Sequence, residues 1–109
     1  MDPSQHFAEI MRGAPDSVPL DVACGLIAAH ATPGLDVGAL TRSLDTLAQR
    51  CDARSFDGVL AHLFGAGGFT GNSDDYYDLD NSLLDRVLDR RLGIPITLSI
   101  VAMEVGRRI

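Results

Sequence analysis

The chain has 109 residues, 46% apolar and 22% charged, which fits one folded domain spanning 1–109 and argues against disorder. Its net charge is −6, and the acidity lies in front: four Arg face twelve acids in residues 1–80, whereas five Arg meet three acids in residues 81–109. That front argues against binding to a phosphate backbone, which needs clustered cations, so no nucleic-acid partner is expected.

A short helix is predicted to start near Ser4, with Phe7, Ile10 and Met11 on one face and Gly13-Ala14-Pro15 ending it. Pro19 suits the first position of a second helix running to about Ala31. Asp21 stands in its dipole-favoured first turn, and Leu20, Ala23, Cys24 and Ile27 form its stripe. Thr32-Pro33-Gly34 stops it. Asp36 is a good N-cap for a third helix, whose apolar face reads Val37, Leu40, Leu44, Leu47, Ala48 and Cys51. A fourth, from about Ser55 to Phe64, should bury Phe56, Val59, Leu60, Leu63 and Phe64.

An irregular segment, 65–80, follows, with four Gly, four Asp, Phe69, Tyr76 and Tyr77. Loops this long in a small domain tend to be packed or functional, and the aromatics suggest that this one folds onto the core. Asn81 or Ser82 then caps a fifth helix, Ser82 and Asp85 making a capping-box-like pair, and Gly93 closes it. Pro95 opens a sixth that runs to Ile109. The fold class is therefore mainly α, with about six helices.

Cys24 and Cys51 are too few for a disulfide framework, and each falls at an apolar-stripe position, where a reduced Cys packs as a small hydrophobe. Met1-Asp2-Pro3-Ser4 lacks the basic and apolar runs of a signal peptide. The apolar stretch 92–105 is too short for a membrane span and contains Pro95 and Glu104. A cytoplasmic protein without a membrane partner is expected.

Residue constellations that carry chemistry are weak. The run Gly65-Ala66-Gly67-Gly68-Phe69-Thr70-Gly71 has neither dinucleotide-loop spacing nor a following Lys, and its glycines read as turn formers. Asp78-x-Asp80-x-Ser82 begins like a calcium loop, but Leu83 stands where the turn glycine is needed, so capping and solvation account better for the aspartates. Cys24 and His30 are six residues apart, about 120° round a helix, and no zinc-ligand spacing occurs. His6, His30 and His62 read as surface or half-buried residues. Thr97 and Ser99 stand at a helix start, yet no His lies within twenty residues of either, so capping or packing roles suit them. No catalytic residue, metal or cofactor is expected.

One long stretch carries a resemblance. It comprises Leu63-Phe64, then Gly68-Phe69-Thr70-Gly71-Asn72, Asp75-Tyr76-Tyr77-Asp78 and Asn81-Ser82. It continues through Leu84, Arg86-Val87-Leu88, Arg90-Arg91 and Gly93-Ile94-Pro95-Ile96-Thr97-Leu98-Ser99. With a weaker match over Ala23 to Ala48, residues 18–109 resemble the SirB-type transglutaminase-like family. Leu79 departs from the family, which usually has Pro there. The resemblance implies the helical front part of a papain-like α+β domain, lacking its sheet. Active relatives use Cys, His and Asp in chain order, with the Cys at the head of the helix that begins here at Pro95. In this chain Pro95 or Ile96 takes that place, and the His and Asp would fall beyond Ile109.

Three readings follow. The first is an inactive module that binds a protein or peptide partner through Asn72, Asp75, Tyr76, Tyr77 and Asn81, residues that local backbone bonding would also explain. The second is the front part of a cysteine-protease or transglutaminase-like enzyme. The third is a structural segment of a larger fold. The last helix is apolar nearly all round, at Ile96, Leu98, Ile100, Val101, Met103, Val105 and Ile109, and expects cover on every side. Left bare, it would favour self-association.

Overall fold

The computed structural model describes residues 19–109 and, ahead of them, Pro3, Gln5 and Ala8. The helix expected from Ser4 lies, apart from Gln5 and Ala8, outside the described residues. The other five expected helices form: α1 (Leu20–Ala31), α2 (Val37–Gln49), α3 (Phe56–Phe64), α4 (Leu84–Arg90) and α5 (Pro95–Arg108). Two short strands, β1 (Thr70–Gly71) and β2 (Leu92–Gly93), and a 3-10 turn over Leu79–Asn81 complete the path.

Side-chain caps set two helix starts. Asp36 accepts a bond from Ala39 N–H at the head of α2, and Ser55 accepts one from Gly58 N–H at the head of α3. α5 packs on α2, α3 and α4, while α1 lies across α2 and α4. Leu44, Leu63, Val87, Val101 and Val105 are fully buried where these helices meet. Gly25 lets α1 approach α2, because a Cβ there would stand 2.6 Å from Val37 Cγ1.

Several expected details are different. On α1 the buried residues are Asp21, Ala23, Gly25, Leu26, Ala28 and Ala29, while Ile27 is exposed. A helix lying across two others turns a broader, small-residue face inward than a simple stripe predicts. Phe56 and Phe64, at the two ends of α3, are also exposed. Ser82 does not cap α4. It closes the 3-10 turn, and Leu83 precedes the helix with no side-chain cap. Nor does Gly93 end α4: Arg91 takes the left-handed conformation at φ 57°, and Leu92 and Gly93 enter β2 instead.

The two strands are parallel. Thr70 N–H donates to Arg91 C=O at 3.0 Å and Asn72 N–H to Gly93 C=O at 2.9 Å. Arg91 supports this junction twice more, stacking over the Phe69 ring at 5.0 Å and donating to Gly67 C=O. A strained backbone angle on a non-glycine residue is thus held by long-range contacts. Gly93 is enclosed, for an added Cβ would meet Thr97 Oγ1 at 2.8 Å and Val87 Cγ1 at 3.1 Å. Gly93→Ala should therefore cost about 1–3 kcal/mol by overpacking, read as a lowered midpoint in urea.

A partly buried ion cluster joins α1, α2 and α5. Arg108 donates to Asp21 at 2.5 Å, to Glu104 at 2.8 Å and to Asp45 at 2.7 Å, and Arg107 adds a second contact to Glu104 at 2.8 Å. Asp21 and Glu104 are both buried. Burial works against the Arg108 charge. The bonds to Asp45, Glu104 and Asp21 more than offset it, so its pKa stands above the ordinary arginine value.

Candidate functional site

The segment 65–80 and the head of α5 meet at Asn81. This residue is fully buried, and both polar atoms of its side chain are hydrogen-bonded. Its amide group donates to the backbone oxygens of Asp75 at 2.8 Å and Tyr76 at 2.9 Å, while its Oδ1 accepts from Asn72 Nδ2 at 3.0 Å. Asn72 Oδ1 in turn accepts from Asp75 N–H at 3.1 Å. The Asn81 backbone oxygen accepts from the Thr97 hydroxyl at 2.7 Å, and that hydroxyl receives the Ile94 N–H at 3.1 Å. One chain of bonds therefore runs from the loop through Asn81 to the first turn of α5.

The five residues singled out from the sequence thus divide. Asn72 and Asn81 hold the backbone of the loop. Asp75 gives the clamp its carbonyl oxygen, and its residue is exposed. Tyr76 and Tyr77 point outward, at 53% and 93% exposure, and meet edge to face with ring centroids 5.3 Å apart. Of the three aromatics that suggested a loop folded onto the core, Phe69 is buried and the two tyrosines are not. The local backbone bonding that would also explain these residues is made by the two amides. The aspartates cap and pair as residues of a solvated face do: Asp78 accepts from Asp80 N–H, and Arg90 reaches both Asp78 at 3.4 Å and Asp80 at 3.6 Å.

At the head of α5 the side chains are hydrocarbon. Ile94 precedes the helix, Pro95 begins it, and Ile96 is 65% exposed. The first turn of a helix favours an anion such as a thiolate, but no side chain here can supply one. Thr97 is buried and committed to the Asn81 and Ile94 bonds, and the Ser99 hydroxyl donates to Pro95 C=O at 2.6 Å. Both take the structural roles that their positions predict. The thiols lie elsewhere. Cys51 is buried in the core, and Cys24 is half-buried against it. Burial pushes the Cys24 thiol up, with the Glu104 and Asp21 charges adding to the effect, opposite to the activation a nucleophile needs.

Among the described residues, no group of three or more His, Cys, Asp and Glu could hold a metal ion. No helix among them is long and apolar enough to cross a membrane. Sequence reasoning missed Arg91 and the ion cluster. A usable signal for the cluster was present: Glu104, set in an apolar helix, has Arg108 one turn on.

A profile of the transglutaminase-like superfamily matches residues 37–109, from α2 to the end of α5. The chain belongs to the transglutaminase-like superfamily. Over 51 residues it is 49% identical to a UPF0162 protein of Xylella fastidiosa, an overlap of 47% of this chain and 18% of that protein. A UPF0162 protein of Pseudomonas aeruginosa is 32% identical over the whole of this chain and 43% of its own length. The F-box only protein 21 of Mus musculus is 44% identical over 38% of this chain and 6% of that protein. The chain therefore spans less than half the length of these relatives. No solved structure matches it. Within the superfamily region lie the Asn81 clamp, the β1–β2 pairing and the head of α5. Helix α1 precedes it and is tied to it by Asp21.

Proposed function

We propose that this chain is a SirB-type transglutaminase-like module that performs no acyl transfer and binds a protein or peptide partner through the tyrosine-bearing loop. The observation that carries the reading is the hydrocarbon head of α5. Where the resemblance puts the attacking thiol, Pro95 and Ile96 stand, and the two neighbouring hydroxyls are spent on internal bonds. Tyr76 and Tyr77 supply what a binding surface uses: large rings with few torsions, presented on backbone that Asn72 and Asn81 hold in place. The bare stripe Ile96 and Met103 on α5 is a second apolar surface, through which self-association is proposed. The free thiols of Cys24 and Cys51 suit a cytoplasmic location, which belongs to the same proposal.

Two assays test this. In the first, the chain is incubated with carbobenzoxy-glutaminyl-glycine and hydroxylamine. No hydroxamate above the blank is expected, and a signal that disappears in Cys24→Ser would overturn the inactive reading. In the second, displayed peptides are selected on the chain and retested on Tyr76→Ala and Tyr77→Ala. Selected peptides should lose about tenfold or more in affinity, as truncation of an aromatic hot spot does. Peptides that bind the parent and both variants equally would remove the loop as the docking surface.

A second reading is favoured by the greater length of the relatives: the front part of an acyl-transferring enzyme. Hydroxamate formed by the full-length Pseudomonas protein in the same assay would support it.

A further inference from the structure

The exposed tyrosine pair stands in a stretch of chain that carries negative charge only. From residue 66 to residue 85 there is no Arg, Lys or His. Asp74, Asp75, Tyr76 and Tyr77 follow one another and are all exposed. Three steps of about 3.8 Å keep their outermost Cα atoms within about 11 Å, so two carboxylates and two rings lie within the length of one short peptide. Arg90, the cation that reaches the far end of the loop, is taken up there by Asp78 and Asp80. Among the described residues, the Asp74 and Asp75 carboxylates have neither an ion pair nor a hydrogen bond. Nor do they join any group there that could hold a metal ion.

We propose that the tyrosine-bearing loop takes an arginine-bearing peptide segment of its partner, with a guanidinium on the Tyr77 ring and Asp74 and Asp75 as its counter-charge. This rests on the loop's being the docking surface, and it adds the chemistry of what docks. Charge selects the occupant. An acidic segment would meet two unpaired carboxylates, and a cation matches them. The ring selects among cations. Tyr77 is 93% exposed, so a flat cation can lie on it. A guanidinium stacks on a ring and pairs with a carboxylate through the same plane, whereas an ammonium is a hydrated point charge. The chain makes such a contact internally, where Arg91 lies over Phe69 at 5.0 Å. The backbone beneath is already held by Asn72 and Asn81, so little ordering is left for binding to supply.

The probes are N-acetyl-Gly-Arg-Gly-Arg-Gly-amide and its counterpart with citrulline, uncharged and of the same shape, at both arginines. Each is titrated into the 109-residue chain in about 50 mM salt, where screening is weak, and followed by amide chemical shifts. The arginine peptide should give saturable shifts centred on residues 74–77. The citrulline peptide should bind about tenfold more weakly, since an exposed cation–π contact and an exposed ion pair are each worth about three- to fivefold. Tyr77→Ala and the double variant Asp74→Asn, Asp75→Asn should each lose about threefold. None of these three side chains holds the loop, so both variants should fold as the parent does. Equal binding of the two peptides, or no saturable shift at 74–77, would overturn the proposal. So would shifts at these residues on concentrating the chain alone, which would make a second copy the occupant. Displayed peptides that lose affinity on Tyr76→Ala and Tyr77→Ala yet carry no excess of arginine would overturn it and leave the loop as the docking surface. Peptides indifferent to both replacements would remove that reading and this one together.

Discussion

Replacing Arg108 with methionine should lower the unfolding free energy by about 2–3 kcal/mol, the cost of losing charged hydrogen bonds to two buried acids that keep only Arg107, 2.8 Å from Glu104 and 3.6 Å from Asp21. The guanidinium is the shared cation of Asp21, Glu104 and Asp45, at 2.5, 2.8 and 2.7 Å. Of these acids Asp21 and Glu104 are buried, so water replaces the lost guanidinium poorly and Arg107 is the cation left beside them. Urea unfolding followed by circular dichroism measures the loss. The triple variant Asp21→Asn, Glu104→Gln, Arg108→Met separates the charge effect from lost packing. Because it removes the stranded charges too, it should recover most of the stability. A single variant within about 1 kcal/mol of the parent would show that the cluster is screened and contributes little.

The second large effect is expected at Asn81. Truncation to alanine removes three side-chain bonds and leaves Asp75 C=O, Tyr76 C=O and Asn72 Nδ2 without it. At about 1 kcal/mol per bond, with an added cost for groups that stay buried, the loss should be about 3 kcal/mol. Its signature is local: limited proteolysis should cut near Tyr76 and Tyr77 in Asn81→Ala well before the parent is cut. Asn81→Asp keeps the shape but turns donors into acceptors facing two carbonyl oxygens, and should be at least as damaging. Asn72→Ala, which loses only the outer bonds, should be milder. An Asn81→Ala chain as stable and protease-resistant as the parent would end the view of this residue as the clamp.

What could be read from the sequence follows from the range of the interactions. Helix α2 was legible because its signals are local: Asp36 caps it, and Leu40 and Leu44 recur at helical spacing and are buried. The start of α3 at Ser55 was legible for the same reason. The end of α4 was not. Its last turn is decided by Arg91 reaching Phe69 and Gly67 and by the pairing of residues 92–93 with 70–71, contacts that no local pattern encodes. The candidate site was half legible. Asn72, Asp75, Tyr76, Tyr77 and Asn81 do gather at one place. Local backbone bonding by Asn was legible as an alternative role for these residues, and Asn72 and Asn81 take it because their amides match the backbone groups of a tight loop, but the split between inward amides and outward tyrosines was not. The cluster around Arg108 was missed because a run of charge at a helix end reads first as a wet surface.

The loop is anchored by two kinds of grip with different sensitivity to the medium. The amide clamp at Asn81 is dry and uncharged, so dissolved ions leave it alone. The ties from Arg90 to Asp78 and Asp80 are long and half in water, and counterions weaken such ties over about 10 Å at 0.1 M. Ionic strength should therefore act as a selective solvent for one edge of this loop, slackening it near Asp78 and Asp80 while the stretch beside Asp75 stays fixed.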